Sequence, residues 1–280
     1  MRTLLHAVRN LFKTLLLLGG LVASLAALGW WIGGFRLGSV FFVVGLLIVA
    51  TISLYGPRII LASLGVRELT IAEAPLLYTT VERLAADGRV GRPKLYLLPD
   101  GHPRALAVGR GAGEFGIAIS QGLVTLTTPA ELQGILAHEI AHARHRDVSI
   151  QTPVVLLAVW LVEASRIGGF LERALLFVLG PVAASLVHLL LSPKRELAAD
   201  ALAAQICDSP HGLADALVRL EQATELVDFR ASPATEPLYT INPFGADKLA
   251  AMFSTHPPIG ERVSRLRGMD PDWREKLRAA

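Results

Sequence analysis

Two long apolar runs at the amino-terminal end constrain this chain most. Leu11 to Ile32 is almost wholly apolar, and Leu37 to Leu54 follows after only the Gly33-Gly34-Phe35-Arg36 break. Each is near the ~20 residues that an α-helix needs to cross a bilayer core. The pair therefore predicts a helical hairpin in a membrane. Trp30 and Trp31 close the first run, where aromatic side chains favour the lipid–water boundary. Arg2 and Arg9 precede the first run, Lys13 lies in its first turn, and Arg58 and Arg67 follow the second, which places both ends in the cytoplasm by the positive-inside rule. A cleaved signal peptide is the competing reading. It fits poorly, because the apolar run is too long and a second follows at once.

Composition agrees. Of 280 residues, 52% are hydrophobic and only 18% charged, against about a quarter in soluble domains. The net charge of +3 is spread along the chain, with no basic-aromatic stripe, so lipid contact is expected and nucleic acid is not. Cys207 is the lone cysteine, which excludes an intramolecular disulfide and a cysteine-rich zinc site. Any metal falls to histidines and carboxylates.

A second apolar pair lies later. Val154 to Val162 is too short to span and is interrupted by Glu163, whereas Ala174 to Leu191 has the right length. The two form either a second hairpin through Gly168-Gly169 or a buried pair that only dips into lipid. The chain thus divides into an N-terminal transmembrane hairpin (1–62), the first part of a soluble domain (63–152), a second hydrophobic hairpin (153–192) and the second part of that domain (193–280). Between the pairs, Glu73 to Ala86 has helical spacing, and Lys94 to Leu98, Ala105 to Val108 and Phe115 to Ser120 read as strands of a small sheet. Thr128-Pro129-Ala130-Glu131 is a capping box with proline at the first helical position, opening a helix expected to run to about Asp147.

Inside that helix stands His138-Glu139-Ile140-Ala141-His142. Residues i and i+4 share a helix face, so His138 and His142 can bind one zinc while Glu139 activates the attacking water. The motif alone also arises by chance. A second helix, opened by Ser192-Pro193, supplies Glu196 as a third ligand, with Asp200 four residues on to orient a ligand histidine. Two histidines and one carboxylate leave a fourth position open, as a catalytic zinc requires. His256 precedes a helix start and has two readings: a group that stabilises the oxyanion, or a cap on the Pro257-Pro258 turn. His145 reads as a surface or supporting residue near the site, and His188 as an interfacial or core group.

The ordered set His138 to Asp147, then Arg195-Glu196-Leu197-Ala198-Ala199-Asp200, resembles the HtpX-type membrane metalloproteases, relatives of the CAAX prenyl endopeptidases. Ile241-Asn242-Pro243-Phe244 and Phe253 to Arg262 are similar to that family's C-terminal signature. The resemblance implies a multi-pass α-helical membrane protein, mainly α, carrying a zincin-like (gluzincin) α+β catalytic domain with one Zn2+ per chain. It implies an endopeptidase acting on polypeptides, membrane proteins above all, in quality control of damaged or misfolded chains. A bacterial-type cytoplasmic (inner) membrane is the implied location, with the site facing the cytoplasm. It also implies that Phe115, Gly116, Ile117, Ala118, Ile119 and Ser120 form the edge strand that receives substrate. Arg104 stands where the family often has asparagine. A narrow-specificity processing protease and a non-catalytic scaffold with a structural metal remain as alternatives at this point.

Overall fold

A computed structural model describes residues 2–166, 172–224, 233–240, 252–270 and 272. The chain begins with α1 (Arg2–Ser63), which is two helical arms joined by a bend at Gly33 and Gly34. Gly34 has φ +62, a conformation glycine adopts freely and other residues resist. The arms pack closely because small residues line their seam. A Cβ on Gly29 would meet the Leu37 carbonyl at 2.6 Å, and one on Gly45 would meet the Val22 Cα at 3.2 Å. Such glycines let membrane helices approach where lipid offers no hydrophobic drive. Phe12, Leu16, Trp31, Phe35 and Leu47 point outward and stay exposed, forming an apolar outer surface. At the bend, Trp30 and Phe35 meet edge to face, with ring centroids 6.2 Å apart.

Next come β1 (Arg67–Glu68), α2 (Pro75–Asp87), β2 (Lys94–Leu98), β3 (Ala105–Gly111) and β4 (Glu114–Ser120). They form one sheet in the order β1-β2-β4-β3, with β2 and β4 parallel and the other pairs antiparallel. This order corrects the expectation that Phe115–Ser120 is an edge strand. β4 is paired on both sides, so its main-chain groups are used within the sheet, and β3 is the edge. The chain crosses over after β2, and the tight β3–β4 hairpin then folds β4 back into the gap.

Strand alternation gives the sheet two apolar faces. Leu95, Phe115, Ile117 and Ile119 pack on the soluble-side helices. Leu98, Leu106, Val108 and Ala118 pack on Ile52 and Ile60 of α1 and on Val155 and Leu156 further along. The sheet is therefore held between the catalytic helices and the membrane hairpin.

The remaining elements are α3 (Gln121–Leu126), α4 (Pro129–Arg144), α5 (Asp147–Arg166), α6 (Glu172–Leu190), α7 (Pro193–Ile206), α8 (His211–Thr224), a 3-10 turn (Pro233–Leu238) and α9 (Ile259–Arg267). The Val154–Val162 stretch lies within the longer α5, whose residues Asp147–Ala164 are long and apolar enough to cross a membrane. Most of α5 is nevertheless buried, against Leu17 of α1 on one side and Ala183 and Val187 of α6 on another. On α6, by contrast, Phe177, Val178 and Leu189 project outward. α6 and α7 together pass as one span bent by 45°. The Gly168-Gly169 turn and Ile241–Phe244 lie outside the described residues.

Candidate metal centre

α4 carries the motif, and its position is fixed at both ends. The predicted capping box is present: Glu131 N donates to Thr128 Oγ1 at 3.3 Å and Thr128 N donates to Glu131 Oε2 at 2.7 Å. Midway, α4 nearly touches α8. A Cβ on Gly134 would meet Leu213 N at 2.5 Å, and one on Gly212 would meet the Ala130 carbonyl at 2.4 Å. Two glycines thus let the backbones meet and sink the next turn, with His138, Glu139 and His142, into the core.

α7 brings Glu196 to the same point from a start capped by Ser192. The Nε2 atoms of His138 and His142 are 3.1 Å apart. Glu196 Oε2 lies 3.4 Å from the first and Oε1 3.5 Å from the second. Three ligands about 2.0–2.1 Å from one tetrahedral zinc would be separated by about 3.3 Å, so this triangle has the right size.

The second ring nitrogens decide what the triangle is for. His142 Nδ1 lies 2.9 Å from Asp147 Oδ2, and His138 Nδ1 lies 2.9 Å from Asp200 Oδ1. A carboxylate facing Nδ1 favours the tautomer with its hydrogen there, which leaves Nε2 its lone pair. Two lone pairs and a buried carboxylate converging at this range repel unless a cation sits among them. Glu196 Oε2, moreover, has no hydrogen-bond partner among the described residues. A proton can also take the cation's part. Burial disfavours the His142 imidazolium, but Glu196 and Asp147 outweigh it and push the pKa up to about 10. Burial likewise opposes ionised Glu196, and the facing His142 and His256 hold its pKa well below the ordinary carboxylate range. The donor set fits a divalent metal.

Glu139 is 3% exposed, and its Oε1 accepts from Thr240 Oγ1 at 2.9 Å. The same hydroxyl lies 3.4 Å from the Ala105 carbonyl on β3. This puts the edge strand beside Glu139. Ser120 N donates to the Arg104 carbonyl at 3.0 Å. Ladder alternation then turns Leu106 and Val108 towards β4, and the N–H and C=O of Ala105 and Ala107 outward. Among the described residues no strand pairs with that outer side. Arg104 is buried at the head of β3, where it pairs with Asp100 and lies over the Tyr239 ring, 5.5 Å from its centroid.

His256 is also in the cluster, with Nδ1 3.3 Å from Glu196 Oε2 and Nε2 3.8 Å from Glu236 Oε1. Burial opposes its charged form, but Glu236 and Glu196 raise its pKa. His145 caps the end of α4 and is buried. His188 lies away from the cluster, within 2.8 Å of the Met252 carbonyl.

Two supporting residues escaped the sequence reading. The expected helix to Asp147 instead stops at Arg144. Arg146 takes a left-handed φ of +58, and α5 begins at Asp147. On one continuous helix, Asp147 would sit about 140° round from His142. The left-handed turn swings it back. Arg262, from α9, is fully buried and donates to Asp200 and to the Thr240 carbonyl. The linear sequence gives no sign of that pairing.

The model of peptidase family M48 matches residues 72–270. A protease HtpX homolog of Pelotomaculum thermopropionicum is 34% identical over 278 residues, covering 93% of this chain and 99% of its own length. Another, from Pyrococcus abyssi, is 35% identical and covers 91% and 94%. A crystal structure of S. mikatae Ste24p aligns with a TM-score of 0.48 at 21% identity, over 95% of this chain and 66% of that one.

Proposed function

The chain belongs to peptidase family M48 and is a membrane-bound, metal-dependent protease, and from that premise we propose a zinc endopeptidase centred on His138, His142 and Glu196. The carrying observation is the buried triangle formed by the Nε2 atoms of His138 and His142 and the Glu196 carboxylate. A zinc ion held by His138, His142 and Glu196 would supply Lewis acidity for the scissile carbonyl and for the attacking water.

The other steps belong to the chain. Asp200 and Asp147 hold the two imidazoles in one tautomer and orientation. Glu139, kept in place by Thr240, takes the proton from the attacking water at its carboxylate and returns it to the leaving amine. His256, beside Glu196, is placed to stabilise the oxyanion of the tetrahedral intermediate. An extended substrate adds as a strand along the outer side of β3, through the main-chain groups of Ala105 and Ala107. Main-chain pairing tolerates many sequences, which suits an enzyme that clears damaged or misfolded membrane proteins. The HtpX names of the relatives support that role. The basic residues flanking α1 support a cytoplasmic (inner) membrane with the site on the cytoplasmic face.

Glu139→Gln in the detergent-solubilised protein tests this reading. The variant should keep one zinc per chain and lose cleavage of an unfolded protein by about 10²–10⁴-fold. Unchanged cleavage would refute the mechanism. Thiol labelling from each side of the membrane, with single cysteines near residues 9 and 67, tests the orientation; protection from the cytoplasmic side would overturn it.

A further inference from the structure

The first turns of α1 extend beyond the lipid hairpin and touch the metal centre's supports. Asn10 is buried, 6% exposed, at the head of an apolar run. Its Nδ2 donates to Asp147 Oδ1 at 2.8 Å and to the His145 carbonyl at 3.2 Å. The other Asp147 oxygen, Oδ2, faces His142 Nδ1 at 2.9 Å. One carboxylate thus joins a membrane helix to a metal-ligand candidate. A turn further on, Lys13 Nζ donates to the carbonyl of Leu190 at 2.8 Å, two residues before the cap of the helix that carries Glu196.

Docking α1 onto the domain does not require this arrangement. Leu17 already packs into the α5–α6 cluster, and Ile52 and Ile60 pack beneath the sheet. An amide in an apolar helix is costly, because a buried polar group left unpaired gives up its bonds to water and gains none in return. Its partner here is the one carboxylate that orients His142. A carboxylate bonded through a single oxygen can rotate about its terminal torsion, which is broad. With Oδ1 pinned, Oδ2 is held against the imidazole.

We infer that Asn10 is a positioning residue for the metal centre, fixing Asp147 so that Asp147 fixes His142, and that the membrane helix thereby forms part of the site. The inference rests on the proposed ligand role of His142. The test uses the full chain in detergent, stripped of metal and titrated with zinc against a chromophoric chelator, with kcat and KM measured separately. Loss of an orienting partner behind a ligand costs about 10–100-fold in metal affinity, so Asp147→Ala should fall in that range and Asn10→Leu near its lower end. The expected Asn10→Leu result is zinc bound about tenfold more weakly, lowered kcat and unchanged KM. In an Asp147→Ala background, Asn10→Leu should add nothing. A residue that only docks the helix would lower the melting point of the metal-free protein and leave zinc affinity alone. Wild-type zinc affinity in Asn10→Leu, or losses that multiply in the double variant, would overturn the inference. If the leucine variant does not fold, Asn10→Ala is judged on the same two scales. His142→Ala is the separate arm: stoichiometric zinc there refutes the ligand assignment itself, whereas zinc loss there with a normal Asn10→Leu refutes only the role of Asn10.

Discussion

Arg262 grips Asp200 with two parallel bonds, Nε to Oδ2 at 2.8 Å and Nη2 to Oδ1 at 2.7 Å, and neither side chain meets solvent appreciably. Asp200 in turn backs His138, and the third Arg262 nitrogen donates to the carbonyl of Thr240, whose hydroxyl holds Glu139. One buried guanidinium therefore supports both a proposed metal ligand and the proposed general base. Burial raises the Asp200 pKa, but Arg262 outweighs it and holds the carboxyl at about 2.

Removing that guanidinium should be severe. Arg262→Met leaves a buried carboxylate uncompensated, at a cost of about 3–5 kcal/mol. Arg262→Lys should recover little, since an ammonium cannot reproduce the two-pronged geometry. Denaturant midpoints and zinc content of both variants provide the check, and a lysine variant with wild-type values of both would contradict it.

Glu131 gives a pH dependence. Burial raises its pKa, but the Thr128 amide and Arg219 outweigh that and hold it below the ordinary 4.5. The unfolded chain then binds the proton more readily, so this contribution is complete above pH 4.5 and fades as pH falls below it. The melting-point advantage of wild type over Glu131→Gln should accordingly be present at pH 7 and shrink below pH 4.5. A constant advantage down to acid pH would contradict the assignment.

Gly134 should not tolerate alanine. Alanine favours a helix interior by about 1 kcal/mol over glycine. Here its methyl would press on the backbone at Leu213, 2.5 Å away, and overpacking of that kind costs about 1–3 kcal/mol. Gly134→Ala should lower the melting point despite the better helix former, and a raised one would show that α8 shifts freely.

On the edge strand, Ala107→Pro removes an outward N–H without touching a bond to β4, as proline permits on a sheet edge. One lost hydrogen bond is worth about 0.5–1.5 kcal/mol. KM for an unfolded substrate should therefore rise about 2–12-fold, with zinc content unchanged. An unaltered KM would place the substrate elsewhere.

The proposed metal ligands could be read from the sequence because their spacing is local. His138 and His142 are one helical turn apart, and Glu196 and Asp200 repeat that spacing on a second capped helix. The supports were hidden for equally physical reasons. Asp147 comes to His142 only through the left-handed turn at Arg146, which nothing in Arg144-His145-Arg146 announces. Arg262 reaches Asp200 across 62 residues of chain. Asn10 reaches Asp147 across 137 residues of chain. The edge strand was misplaced because linear order does not give spatial order: β4 follows β3 in sequence yet lies between β3 and β2.

The sheet's lower face has a practical consequence. Leu98, Leu106, Val108 and Ala118 rest on Ile52 and Ile60, so cutting away the hairpin would strip a greasy underside from the catalytic half. A fragment trimmed of α1 would carry these four side chains bare into water. The hairpin is thus a floor for the sheet as well as an anchor in the bilayer.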